Sequence, residues 1–506
     1  MTHTPWYRRP EFGVLLLAAI LSLLFIDLRG LWDPDEGRFT NVALQMLRSG
    51  DFISLQRHHE SLHFTKPPVT YWAIAGSVAA FGWNEWAVRL PGALAHLGIV
   101  ALLLRIGRHF APQRPWLPAL VYAVLPVPVL ASNLVTTDTP LAFMTTLAFA
   151  AYVIARFENR PQWMLVMWAA FGLAFLTKGP PALLGLGGLL LAHLLERRGG
   201  GAPPSLRALP GLPIFLVVGF TWYVVVVLRH PGLLDYFIGH EVVARIATDT
   251  HNRHPEWWGG FYVYGLTLGL GLLPWWPWAV GAWRRSKTRW RDAAPETRLL
   301  LCWLGVAMTV FMLAQSRLPL YVLPLFAPFA LLIGRALQDA AFPRLRVAAV
   351  AAMVAALVGI KSLFAFLPQV AAALPEHLAE RVPLHKNARD WAAKLDAVVP
   401  YTIKEVVFVN DMARYGMHLY LRAEIEKADF DGDLATKPIS DASFDDVLAH
   451  ELTEREPGRV FVMRGYNAAR FLEMARAAGW SPVKLGTVRD REVFSLEPVV
   501  ASATGD

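Results

Sequence analysis

From residue 12 to residue 367 the sequence is a succession of apolar runs, separated by short stretches that are charged or rich in proline. Crossing about 30 Å of hydrocarbon takes roughly 20 mostly apolar residues in a helix. Eleven runs are candidates: residues 12–30, 86–104, 116–132, 140–155, 162–177, 180–195, 211–228, 259–282, 299–314, 319–334 and 347–367. Some are short for a full span. Basic residues test the count, because Lys and Arg favour the cytoplasmic loops. With the N-terminus inside, the inner loops hold Arg105, Arg108 and Arg114, then Arg156 and Arg160, then Arg197, Arg198 and Arg207. Further along they hold Arg284, Arg285, Lys287, Arg289, Arg291 and Arg298, then Arg335, Arg344 and Arg346, with few acids among them. The alternation requires that residues 69–82 (VTYWAIAGSVAAFG) do not span, and predicts an interfacial or re-entrant helix there.

Composition agrees. Of 506 residues, 55% are hydrophobic and 17% charged, where a soluble chain carries about a quarter charged residues. The 19 Trp and 36 Pro suit a bilayer, since Trp collects at its interfaces and Pro is tolerated in spanning helices. The net charge of +8 is accounted for by the inner loops and gives no reason to invoke nucleic acid. The run that follows Arg8 and Arg9 lacks a small-residue cleavage site and reads as an uncleaved first span. Cys302 is the single cysteine, so no intramolecular disulfide forms. The predicted organisation is a membrane domain over 1–367, with an outer loop at 31–84, and a small α/β domain over 368–506. Strands are expected at 406–410, 459–463 and 492–496, and an amphipathic helix at 466–479. An odd number of spans puts that domain outside, which in a bacterial inner membrane is the periplasm.

Candidate chemistry collects on the same side. The first outer loop carries Asp33, Asp35, Glu36 and Arg38 in WDPDEGR, then Arg57, His58, His59, His63 and Lys66. Taken on its residues alone, this loop is as well explained by a solvated segment with a capped amphipathic helix. Asp138 (TTDTP), Lys178 (TKGPP) and Arg317 (SRLPLYVLP) sit where outer loops meet spans. The loop 229–258 adds Asp235, His240, Glu241, Arg245, Asp249, His251, Arg253 and His254. Each could be an ordinary boundary charge. Together, carboxylates and cations at one membrane face suit a reaction on a lipid phosphate, with Lys and Arg holding the phosphate. A carboxylate there either acts on an acceptor or binds a divalent metal ion.

WDPDEGRFTNVALQMLRSGDF, HFTKPPVTYW and NEWAVRLPGAL, followed by DTHNRHPEWW and SRLPLYVLPLFAP, form an ordered set of motifs. The set resembles the lipid-linked membrane glycosyltransferases of the GT-C class. It is most similar to the bacterial aminoarabinose transferases that modify lipid A and to their protein mannosyltransferase relatives. The resemblance covers about residues 10–335. It implies a large outer cavity and a polyprenyl-phosphate-sugar donor. It implies Asp35 as the principal acid, Arg38 and Lys66 as cations for the donor phosphate, Asp138 and Lys178 as further positions at the cavity, and Tyr321 as a residue lining it. On their residue types and placement alone, Glu36 is the rival acid, Lys178 and Arg317 are further candidates for the donor phosphate, and Glu241, Arg245, His251 and His254 are candidate cavity residues. Two positions depart from the aminoarabinose pattern: Thr65 stands where that family carries Glu, and Asn252 where it carries His. The expected acceptor is lipid A or another envelope glycan or protein. A transporter or flippase of a lipid-linked sugar uses the same face and substrate class, but would show paired halves and broken helices at the midplane. No internal repeat is visible, and the polar residues cluster at one face.

Overall fold

A computed structural model of the chain describes residues 9–206, 210–239, 254–286, 293–375, 382–432, 439 and 444–498. The chain divides into two compact units, Met1–Ile26 with Lys66–Thr70 and Arg89–Ala365, and Asp27–Thr65 with Tyr71–Val88 and Phe366–Asp506.

The first unit is helical, and every apolar run read from the sequence contains helix. Among the described residues, six helices are long and apolar enough to cross a membrane: Glu85–Phe110, Asp138–Phe157, Gly211–Arg229, Pro295–Leu313, Pro319–Leu337 and Arg344–Ala365. Pro10–Leu23 and Trp163–Lys178 are shorter apolar helices. Two runs break where proline removes a backbone donor and fixes φ. The 116–132 run becomes Leu117–Ala123 and Pro126–Ala131, and the 259–282 run becomes Gly259–Gly271 and Trp275–Ser286 around Pro274. Helix Val69–Phe81, whose residues from Tyr71 on belong to the second unit, has 13 residues, roughly 20 Å at 1.5 Å per residue, which is short of a hydrocarbon core as the charge pattern requires.

Close approach within this unit depends on small residues, as is common between membrane helices. Helix Leu183–Arg198 packs on Pro295–Leu313. A Cβ on Gly188 would stand 2.5 Å from the Trp303 Cα, so only glycine lets these two backbones meet. The basic loops meet at one end of the bundle. Glu158 accepts from Arg105 at 2.7 Å and pairs with Arg108 at 2.7 Å and His109 at 3.0 Å. Arg156 pairs with Glu196, and Arg114 donates to the Ala340 carbonyl at 2.8 Å. Asp138 opens the helix that closes near Arg156, so it lies about 27 Å along the helix axis from that basic end.

The second unit is built on a six-stranded sheet. Its strands are β3 (Glu405–Val409), β4 (Glu424–Asp429), β5 (Asp446–Val447), β6 (Arg459–Arg464), β7 (Trp480–Val488) and β8 (Arg491–Pro498), in the order β5-β4-β3-β6-β8-β7. Strands β5, β4, β3 and β6 run parallel, while β8 and β7 are antiparallel. The three strands and the helix expected from the sequence are β3, β6, β8 and Gly465–Ala477. That helix buries Phe471 against Phe461 and Phe494. Residues 27–65 belong to this unit. Trp32 bridges Asn387, the Asp33 N–H donates to the Lys386 carbonyl at 2.9 Å, and the Ala388 N–H donates to Leu31 at 2.9 Å. Helix Asp35–Ser49 follows, closed by Gly50 in the left-handed region at φ 72°. A two-stranded hairpin, β1 (Gln56–His58) and β2 (Ser61–Leu62), comes next.

Candidate functional site

In the second unit the acids of the WDPDEGR motif point to different surroundings. Glu36 is buried, and its carboxylate accepts two hydrogen bonds from Arg29, at 2.7 and 2.9 Å, and one from the Trp32 N–H at 2.9 Å. Arg29 in turn lies over the Trp32 ring at 4.7 Å. These bonds occupy both Glu36 oxygens and hold the turn into the helix. Asp33 is also buried. Its Oδ1 accepts the Gly416 N–H at 3.0 Å, and its Oδ2 accepts no hydrogen bond among the described residues. Burial pushes this carboxyl up to about 7, against the pull of the Gly416 N–H and the Arg414 charge. Asp35 is different: its side chain is 70% exposed on the first helical turn, paired with Arg38 at 3.0 Å. An exposed carboxylate at a helix N-terminus, paired with a half-buried cation three residues on, remains available to a ligand.

In the first unit, three sequence-predicted residues come together. Lys178, at the end of helix Trp163–Lys178, pairs with Asp138, at the start of the preceding helix Asp138–Phe157, and its ammonium lies 4.5 Å from the Tyr321 ring centroid. Both charged side chains are about nine-tenths buried. An ammonium has three donors, and one carboxylate with one aromatic face does not exhaust them. Lys66 lies half-buried in the same unit, in the TKPP turn before helix Val69–Phe81. Thr65, at the departing position, meets His63 Nε2 through its hydroxyl at 2.9 Å. Arg317 is buried and directs its guanidinium at backbone: it donates to the carbonyls of His254, of Glu256 at 2.9 Å and of Met312 at 3.0 Å. His254 takes part through its carbonyl. Glu241, Arg245 and His251 lie outside the described residues.

In the second unit, His58 and His59 of the first outer loop meet acids that the sequence does not connect to them. His58 Nε2 lies 2.7 Å from Glu405 and 2.8 Å from Glu424, and His59 Nδ1 lies 2.6 Å from Glu424. The four ligand atoms are close enough together to hold one metal ion. His58, Glu405 and Glu424 are buried, contrary to the reading of 31–68 as a solvated loop. The available signals were a His-His pair in an outer loop and acids alternating through EIEKAD, and neither points to the other across more than 340 residues.

This fold is similar to those of two solved proteins. Over 98% of this chain and 99% of the other, it superposes on the ArnT of Cupriavidus metallidurans, solved with undecaprenyl phosphate, with a TM-score of 0.72 at 22% identity. The oligosaccharyltransferase of Archaeoglobus fulgidus shares the fold more loosely, with a TM-score of 0.53 at 12% identity over 99% of this chain and 76% of that one. Residues 65–221 match the model of the dolichyl-phosphate-mannose-protein mannosyltransferase family. Among sequences, the chain is similar to the undecaprenyl phosphate-alpha-4-amino-4-deoxy-L-arabinose arabinosyl transferases of two bacteria. It is 31% identical to that of Pseudomonas savastanoi pv. phaseolicola over 66% of this chain and 62% of the relative. It is 29% identical to that of Aeromonas salmonicida over 65% and 60%. The chain thus spans about three-fifths of the length of these curated relatives.

Proposed function

We propose that the protein transfers a sugar from a polyprenyl-phosphate donor to lipid A on the periplasmic face of the bacterial inner membrane. The observation that carries this reading is the pairing of Lys178 with Asp138 and Tyr321, at the end of the bundle away from the basic loops. A desolvated ammonium near the membrane face is suited to a lipid phosphate, and the motif set and the relatives supply the same donor class. In the reaction the bond from the anomeric carbon to the phosphate oxygen breaks, and its electron pair stays with polyprenyl phosphate. An acceptor oxygen forms the new bond. Lys178 and Lys66 stabilise the charge that develops on the leaving phosphate, and Arg38 contributes a third cation. Where the acceptor is a hydroxyl, Asp35 takes its proton. Where it is a lipid A phosphate the nucleophile is already anionic, and Asp35 orients it. Arg317 acts by holding the 254–256 turn. Thr65 leaves its position uncharged, so a donor amino group meets a hydroxyl there. Undecaprenyl-linked 4-amino-4-deoxy-L-arabinose is therefore to be tested beside neutral sugars.

The test is transfer from purified undecaprenyl-phosphate sugars to lipid A by the full chain in detergent, read by mass spectrometry. We expect Asp35→Asn to bind donor and to lose transfer by about two orders of magnitude, the size of an acid–base contribution. Glu36→Gln should lower the unfolding temperature instead. A protein that gives no glycosidic product from any donor would be a carrier, and this reading would be wrong.

A further inference from the structure

We propose that His58, His59, Glu405 and Glu424 form a four-ligand site for a divalent metal ion of the zinc class, fastening the β1–β2 hairpin to the sheet of the second unit. In a tetrahedral site with bonds of about 2.0–2.2 Å, neighbouring ligand atoms lie roughly 3.3 Å apart. Here the two ring nitrogens, His58 Nε2 and His59 Nδ1, stand 3.1 Å apart, and the carboxylate oxygens stand 2.6–2.8 Å from them. Four donor atoms have therefore converged on one point, slightly tighter than an ion would hold them.

The surroundings are arranged as ligands require. Each glutamate turns one oxygen toward the histidines and gives the other to an arginine. Glu405 Oε2 pairs with Arg459 at 3.0 Å, and Glu424 Oε1 with Arg48 at 3.3 Å. Both carboxylates are thus oriented to bind through a single oxygen. Strand register places Glu424 directly beside Glu405 on β4 and β3. Like charges at that position oppose each other unless a cation lies between them. Glu426 is two residues along β4, on the same face, and is fully buried. Neither of its oxygens accepts a hydrogen bond among the described residues, and Oε1 lies 3.7 Å from His58 Nδ1. Once His58 binds metal through Nε2, its Nδ1–H is directed at Glu426, the carboxylate–histidine–metal relay found behind ligating histidines. Besides His58 and His59, the cations paired with the four buried carboxylates of Glu405, Glu424, Glu426 and Glu451 among the described residues are the guanidiniums of Arg48 and Arg459, and a divalent ion supplies the missing charge. Protonated imidazoles would supply the same charge. They would also set two N–H groups 3.1 Å apart against the same Glu424 oxygen.

Two imidazoles with two carboxylates favour zinc and its transition-metal neighbours over calcium or magnesium, which prefer all-oxygen shells. Four protein ligands leave no open position, so the role is structural. None of Asp35, Lys66, Asp138 or Lys178 belongs to the set, and the inference stands whether or not the proposed transfer does. The experiment uses the untagged full chain in detergent, stripped with a chelator, reloaded with Zn²⁺ alone, freed of excess by gel filtration and analysed for metal. We expect one equivalent in the wild type, and loss of that equivalent in both Glu424→Gln and His59→Ala; the His59 ring is half-exposed and its removal spares the core. Co²⁺ in place of Zn²⁺ should give the intense visible bands of a tetrahedral ion. A wild type that retains clearly less than one equivalent overturns the proposal, as do variants that keep a full equivalent, or weak octahedral Co²⁺ bands.

Discussion

Asp33, Asp35 and Glu36 lie within four residues of one another, and burial separates their roles. In the sequence they are equivalent acids before a helix. Asp35 stands out there only through the motif resemblance, and Asp33 is not distinguished at all. In the folded second unit Glu36 is held by Arg29, Asp33 is desolvated beside Gly416, and Asp35 stays in solvent with Arg38. Which of three adjacent acids is buried depends on Gly416 and Arg414, nearly 400 residues away, so no local pattern can show it. Asp33 carries a testable pH dependence. Its carboxyl titrates near 7 when folded, against an ordinary value of 3.8. Below the ordinary value both states are protonated and the folded state bears no penalty. As pH rises from about 4 to about 7 the unfolded chain ionises first, and stability is lost, by roughly 4 kcal/mol at most. We expect Asp33→Asn to flatten this part of the stability profile, measured as unfolding temperature in detergent from pH 4.5 to 8. A slope equal to that of the wild type would contradict the assignment.

At the scale of elements, hydrophobic length and β-branched runs carried the reading furthest. The long helices and the strands β3, β6 and β8 are apolar enough to be seen. The thirteen-residue helix at Val69–Phe81 was visible through charge alternation as well as length. Strands β4 and β7 were not visible. The first alternates Glu through a buried face, and the second contains Pro482 and Gly486, so neither has a strand-like composition. The breaks at Pro126 and Pro274 are not legible either, because an unbroken apolar run looks the same whether or not its helix continues. Helix pairing gives a prediction of its own. Gly188 meets the Trp303 backbone, whereas Gly305, on the helix that carries Trp303, has nothing within 4 Å of an added Cβ. Gly188→Leu should destabilise the protein by about 1–3 kcal/mol or more through overpacking, while Gly305→Leu should leave the unfolding temperature close to wild type. Equal effects of the two substitutions would show that the close approach is not what matters.

For the whole molecule, we propose from the charge pattern that the basic loops are cytoplasmic and residues 368–506 periplasmic. Cys302 is buried, so cysteines placed at the exposed positions Arg198 and Glu456 can be read against a quiet background. An impermeant thiol reagent added to spheroplasts should label the Glu456→Cys variant and spare Arg198→Cys until the membrane is opened. The reverse pattern would invert the topology. The second unit also draws its chain from both ends of the sequence: Arg57 of the hairpin donates to Asp445 at 2.6 Å, 388 residues later. That separation has a consequence during synthesis. At about 5–20 residues per second, a ribosome needs roughly 20–80 seconds to make the second partner after the first has emerged. For that interval the segment bearing Arg57, His58 and His63, all buried in the finished protein, has no sheet to pack against. A nascent chain that stalls before residue 445 therefore presents an unfinished first loop, and whatever surveys that side of the membrane can recognise it as incomplete.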